Sequence, residues 1–233
     1  MTSSPLRRVG IIGDVHARHR DLASALEFFR VERVDAVLSV GDVVDGVGDV
    51  EASVRLLRDA GVRAVRGNHE RWILAGQMRS LSHATTRDEL SDASWRWIEA
   101  LEPVARFETV AGALLLGHGL GSQDMVRVSS DDPLRIDARD PVFARFAAEA
   151  AGCRFAVGGH THRRMMRRVC GVTMLNAGTL VPSDDPCVMV ADFEAMALWH
   201  HDMVDGAVVP SPWQRVNIAV TDDARDDDPT PRW

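Results

Sequence analysis

The chain of 233 residues has no lysine and no tyrosine; all 27 of its Lys+Arg positions are arginine. A lysine Schiff base and a lysine phosphate clamp are therefore excluded. Any side-chain cation that meets a substrate must be an arginine, a protonated histidine or a bound metal. The bias is that of a GC-rich bacterial genome and carries no functional meaning. Cysteine is scarce: Cys153, Cys170 and Cys187 are far apart and form no CxxC pair. That excludes a disulfide framework and a zinc knuckle and fits reduced thiols in a cytoplasmic protein. No run of about 18 apolar residues is present, so no transmembrane span is expected. Residues 1–8 lead directly into Val9-Gly-Ile-Ile without a signal-peptide core. Basic charge is in short supply, 27 against 34 acidic residues, for a net charge of −7. The balance argues against a nucleic-acid partner, which wants a basic face. The apolar content, 45%, is too high for a disordered chain.

The patterning divides the chain into two styles. Arg8–Ile12, Ala36–Val40 and Val62–Val65 are short apolar runs, the first two ending in Gly-Asp. Between them, Asp21–Arg30 and the stretch through Val50, Val54 and Leu57 carry apolar residues at helical spacing. Strand, helix, strand, helix, strand predicts a parallel sheet of βαβ units. The second half reads as largely antiparallel. Hairpins are expected at 107–116, 165–175 and 187–201, with helices at 94–101 and 141–151 and a lone strand at Phe155–Val157. Residues 119–140 are polar and read as a long loop. The tail, 221–233, holds five Asp and two Pro and is expected to be disordered, which leaves 1–220 as one domain.

Five short segments sit at the ends of apolar runs. They are Asp14-Val-His16, Gly41-Asp42-Val-Val-Asp45, Gly67-Asn68-His69-Glu70, Gly117-His118 and Gly159-His160-Thr-His162. Five of the nine histidines lie in them. Ligands of open α/β sheets bind beyond the carboxyl ends of the strands, so these ends deliver Asp, Asn and His to one rim. The Asp14/His16 and His160/His162 pairs have i, i+2 spacing, which in extended chain points both side chains to one side. The donors are oxygen and imidazole nitrogen without thiolate, which suits Mn²⁺, Fe, Zn²⁺ or Ni²⁺. About seven donors exceed the needs of one ion, so two divalent metals sharing a carboxylate are expected.

In order and in spacing, these blocks resemble the calcineurin-like metallophosphoesterase superfamily, with its DxH, GDxxD, GNH(D/E), lone His and GHxH. The resemblance runs from residue 13 to residue 162, roughly two-thirds of the chain. It implies an α/β fold, a two-sheet α/β/β/α sandwich with mixed parallel and antiparallel strands. It also implies Asp14, His16 and His162 on a first metal, Asn68, His118 and His160 on a second, and Asp42 bridging both, with Mn²⁺ foremost. His69 matches the acid that assists the leaving oxygen, and Asp45 the carboxylate that orients it; a plain turn residue before Gly46 is the other reading of Asp45. The implied function is hydrolysis of a small phosphorylated substrate, a phosphodiester or phosphomonoester, by a hydroxide held between two metals. A dinucleoside polyphosphate hydrolase, a Ser/Thr phosphatase and a non-catalytic metal-binding scaffold are the alternatives. The Ser/Thr phosphatase branch carries arginine after GDxxD, where this chain has Gly46, which weakens a monoester clamp. The GHTHR segment and Asn176-Ala-Gly-Thr179 look more like compact bacterial phosphodiesterase-like members.

Other features are read conservatively. Glu70 is taken as a surface or helix-start acid. Arg164, Arg167 and Arg168 are taken as the solvated face of a strand, with Arg163 the exception. Trp72, Trp95 and Trp97 are assigned to core or lid packing. Nothing in the sequence determines the oligomeric state.

Overall fold

In the computed structural model, residues 4–130, 139–210 and 215–218 are described. The proposed tail, 221–233, and residues 131–138 of the long loop lie outside them. Among the described residues there are twelve strands: β1 (Arg8–Ile12), β2 (Ala36–Ser39), β3 (Arg63–Ala64), β4 (Val104–Thr109), β5 (Gly112–Gly117), β6 (Cys153–Gly158), β7 (Arg164–Val169), β8 (Val172–Ala177), β9 (Cys187–Asp192), β10 (Ala197–Val204), β11 (Ala207–Val209) and β12 (Arg215–Asn217). The helices are α1 (His19–Glu32), α2 (Val50–Asp59), α3 (Asn68–Leu74), α4 (Asp92–Glu99) and α5 (Pro141–Glu149). Their starts follow from local chemistry. Asp49, Ser91 and Asp140 each accept a backbone N–H of the first turn of α2, α4 and α5, and Pro141 takes the position where a missing N–H costs nothing.

The strands form two sheets. The first runs β11-β10-β9-β1-β2-β3, with β12 also on β10; the second runs β4-β5-β6-β8-β7. The expected parallel unit is present, β1 pairing with β2 and β2 with β3. The three expected hairpins are present too, β4 with β5, β7 with β8 and β9 with β10, each antiparallel. The departure lies in the second sheet, where β5, β6 and β8 pair in parallel between antiparallel β4 and β7 at the edges. β9 and β10 instead leave that half and extend the first sheet antiparallel to β1. Hairpin periodicity shows which neighbours in sequence pair, but not which sheet the hairpin joins.

Why the central strands are apolar throughout is plain from their burial. Val9 and Ile11 of β1, Leu114 and Leu116 of β5, and Phe155 and Val157 of β6 form one core between the sheets. The alternate residues face helices: Ile12 joins Leu22, Phe29, Val54 and Leu57 of α1 and α2, whereas Leu115 and Ala156 join Phe143 and Phe146 of α5. Both faces of both sheets are covered, giving helix, sheet, sheet, helix in four layers. No helix among the described residues is long and apolar enough to cross a membrane. Cys153, Cys170 and Cys187 form no disulfide. Trp95 and Trp97 pack on the α-helical side of the first sheet, as expected.

The reading of Arg164 as a solvated residue is overturned. Its side chain is only 10% exposed and bonds Asp185 and Asp202, each at 2.7 Å. Nor do the arginines share a face: by strand alternation Arg167 lies with Met165 and Val169, and Arg164 and Arg168 with Met166.

Candidate metal centre and active site

Each strand that ends in a motif ends at the same rim. β1 leads to Asp14 and His16, β2 to Asp42 and Asp45, β5 to His118, and β6 to His160 and His162; Asn68 and His69 open α3 just after β3. The structure brings all nine residues together. His16 Nε2 lies 3.1 Å from His162 Nε2. His118 Nε2 lies 2.9 Å from Asn68 Oδ1, 3.1 Å from Asp42 Oδ2 and 3.7 Å from Asp14 Oδ1. Asp42 Oδ2 is central, also 3.9 Å from Nε2 of both His16 and His69. Ligand atoms of Asp14, His16 and His162 form one compact group, those of Asp42, His118 and His160 a second, and those of His16, Asp42 and His69 a third.

Extended-chain geometry does not produce this convergence. His16, Asp42, Asp45, His160 and His162 all have positive φ, between 47° and 66°. The side chains converge because the chain turns left-handed as it leaves each strand, a conformation that costs about 1 kcal/mol or more per non-glycine residue. The Asp14/His16 and His160/His162 pairs therefore converge through left-handed turns, not through the i, i+2 alternation of extended chain. Gly67 allows a further close approach: a Cβ there would stand 2.2 Å from Asp42 Oδ1.

Four imidazoles are oriented from behind. His16 Nδ1 donates to the Asp45 carbonyl at 2.7 Å and His118 Nδ1 to that of Val40 at 2.8 Å. His69 Nδ1 donates to Asp45 Oδ2 at 2.8 Å and His162 Nδ1 to Asp184 Oδ2 at 2.6 Å. Partners that only accept fix the hydrogen on Nδ1 and turn Nε2 inward. The lone pairs of His16 and His162 then face each other beside the buried carboxylates of Asp14 and Asp42. Such an arrangement calls for a cation between them, and the N and O donor set fits divalent metals.

The titration of these groups follows from their burial and from their neighbours' charges. Burial opposes a charge on His118, yet the carboxylates of Asp42 and Asp14 push it up to about 10. Burial pushes the Asp14 carboxyl up. Burial and the neighbouring His118 push His160 down to about 4. Around His69 burial works against protonation, but the Asp45 hydrogen bond and the Asp42 charge carry it above the usual histidine value. Asp45 is opposed by burial and held at about 2 by His69 and Arg79.

Glu70, expected as a surface or helix-start acid, is the helix-start acid: it lies in the first turn of α3, fully buried, and its two oxygens accept the N–H groups of Gly67, Asp42, Val43 and Val44. Its place three residues after Gly67, in a capping-box pattern, was the available signal. Two further supporting residues, Arg79 and Asp184, went unread in the sequence. Arg79 grips both Asp45 oxygens, at 3.0 and 2.8 Å, and no motif pointed to it. Asp184 orients His162 from 22 residues downstream. The Asn176–Thr179 turn supports the rim through contacts to backbone: Asn176 Nδ2 donates to the Gly159 carbonyl and Thr179 Oγ1 to that of Asp14. The arginine absent at position 46 has a steric reason, since a Cβ at Gly46 would meet the His16 carbonyl oxygen at 2.3 Å.

Against known proteins, residues 8–196 match the family model of the calcineurin-like phosphoesterase superfamily domain. The chain belongs to the calcineurin-like phosphoesterase superfamily. Within it, the buried imidazole–carboxylate cluster is the group of residues that could hold divalent metal. A metallophosphoesterase from Sphaerobacter thermophilus has the same fold, with TM-score 0.60 and 21% identity over 85% of this chain and 89% of that one. An archaeal phosphodiesterase superposes with TM-score 0.54 and 18% identity, over 84% of this chain and 99% of its own. Serine/threonine-protein phosphatase 1 of Salmonella typhimurium is 36% identical over 77 residues, 33% of this chain and 36% of the phosphatase. The match therefore spans about a third of that relative's length.

Proposed function

We propose that the chain hydrolyses phosphate esters with two divalent transition metals, Mn²⁺ foremost and Fe, Zn²⁺ or Ni²⁺ as alternatives. Asp14, His16 and His162 would hold one ion and Asn68, His118 and His160 the other, with Asp42 shared. When bound, the ions supply activation of water and neutralisation of phosphoryl charge. Asp42 suits the shared position because its Oδ2 stands between the imidazoles of both groups. His69 acts as the acid. Asp45 accepts its Nδ1–H, which favours the imidazolium and leaves Nε2 to deliver a proton to the departing oxygen. The observation that carries the reading is this 2.8 Å pair standing beside a complete donor set, which a non-catalytic scaffold has no need to keep.

The substrate we favour is a small phosphodiester or phosphomonoester. The Salmonella relative supports a second reading as a phosphoprotein phosphatase; glycine at position 46, with no room for a side chain, weighs against that reading's monoester clamp. The test is a panel of phosphodiesters, phosphomonoesters, dinucleoside polyphosphates and a phosphoserine peptide, assayed with each metal beside metal analysis. Two ions per chain and Mn²⁺-restored hydrolysis after chelation are expected. One tightly bound ion with full activity would overturn the two-metal reading, and no hydrolysis with any metal would favour the scaffold.

A further inference from the structure

The rim opens into two cavities of opposite character. On the far side of His160 and His162 lies one of about 550 Å³, lined by Arg127, Arg163, Asp184 and Asp185 among others. On the His69 side lies one of about 750 Å³, whose floor is His16, Asp42, Asn68 and His69. Its walls include Val47, Trp72, Leu81, Val181 and Pro182. Charge lies on one side of the candidate metal residues, and apolar surface on the other.

Two details tie the apolar wall to the chemistry. The Trp72 ring meets the His69 ring edge to face, with centroids 4.6 Å apart. Val47 is 59% exposed at the rim. Arg18, a cation at this rim, is engaged with Asp21 at 2.6 Å. An exposed apolar patch continuous with a polar reaction centre marks a ligand-binding surface.

We propose that this side of the cavity is the leaving-group subsite and selects phosphate esters whose alcohol carries a planar apolar ring system. The inference rests on the acid role proposed for His69. The alcohol oxygen takes its proton from His69, so the rest of the alcohol must lie on the His69 side, against Trp72, Leu81 and Val47. Beside the hydroxyls of Ser82 and Ser183, the wall offers the Trp72 ring and aliphatic carbon, with Arg18 taken up by Asp21, and so lacks the paired charged donors that a sugar or a charged peptide would need.

The experiment compares phenyl and 2-naphthyl phosphate, whose phenols differ little in acidity, each as monoester and as methyl diester. The naphthyl ester should have the higher kcat/KM by roughly tenfold, the discrimination an apolar pocket gives for added carbon. Trp72→Ala and Leu81→Ala should each move that ratio towards one with metal content unchanged; Val47→Ser, at an exposed position, serves if either variant fails to fold. Independently, 2-naphthylmethylphosphonate, which cannot be hydrolysed, is titrated into metal-loaded protein by calorimetry. It should bind wild type more tightly than the variants. Equal kcat/KM for both esters together with equal phosphonate affinity in wild type and variants would overturn the subsite while leaving the phosphoesterase reading intact. No turnover of either ester would count against that reading, and the phosphonate titration would still decide the subsite.

Discussion

At His69 two functions that are easily confused can be told apart. Its neighbour Asn68 already offers Oδ1 to the cluster, whereas the His69 ring is tied by Nδ1 to Asp45 and stands 3.9 Å from Asp42 Oδ2. An acid and a ligand respond differently to removal. His69→Ala should keep both metals and lose rate by roughly 10²–10⁴-fold. The loss should be smaller on a nitrophenyl ester, which departs without protonation, than on an alkyl ester. Asp45→Asn should give a milder version of the same profile. Steady-state kinetics on both esters, with metal content measured for each protein, decides the matter: parallel loss of metal would make His69 a ligand, and equal loss on both esters would leave it an electrostatic stabiliser. Residue types at motif positions were legible in the sequence because the chemistry demands them. Arg79 was not, because a guanidinium that grips Asp45 can come from any loop that passes nearby.

At the scale of elements, the rim is held by a few side chains that bind backbone. Glu70 links the first turn of α3 to the turn after β2, accepting four N–H groups that would otherwise be buried without partners. Two of those groups belong to Asp42 and Val43, so Glu70 sets the position of the proposed shared ligand. Glu70→Gln replaces one acceptor oxygen with a donor that faces N–H groups. The expected outcome is a stability loss of roughly 1–3 kcal/mol together with weaker metal binding. Chemical denaturation of the metal-free protein and metal titration of the folded protein measure the two separately; unchanged values in both would refute the role. The sequence identified β1 to β10 and most helices, though not the three-residue β11 and β12, because the longer strands and each amphipathic helix follow simple periods. It missed α3 because that helix begins on a ligand motif and spans only seven residues.

For the whole molecule, the decisive fact is that the site straddles the two sheets. Asp14, His16, Asp42 and Asp45 follow strands of the first, and His118, His160 and His162 follow strands of the second. Stability of the assembled core also has a pH dependence that can be worked out from His200 on β10. The side chain is buried, and burial with Arg164 nearby pushes it down to about 3. In the unfolded chain the ring takes a proton near pH 6.5, so the native state binds fewer protons below that value. Full stability is expected above about pH 6.5, with this ring alone costing about 1.4 kcal/mol per pH unit as pH falls towards 3. Urea unfolding of wild type and His200→Phe at pH 7 and 5.5 checks this, since the variant should lose less stability on acidification; an equal loss would exclude the ring. The sequence by itself determined the strand ends, the donor types and hence the family, because metal and phosphate chemistry restricts which residues can stand after each strand. Only the tertiary structure decided that β9 and β10 join the first sheet, that Glu70 and Arg79 support the site, and that an apolar wall faces His69. Those outcomes depend on contacts between segments tens of residues apart, which no local period encodes.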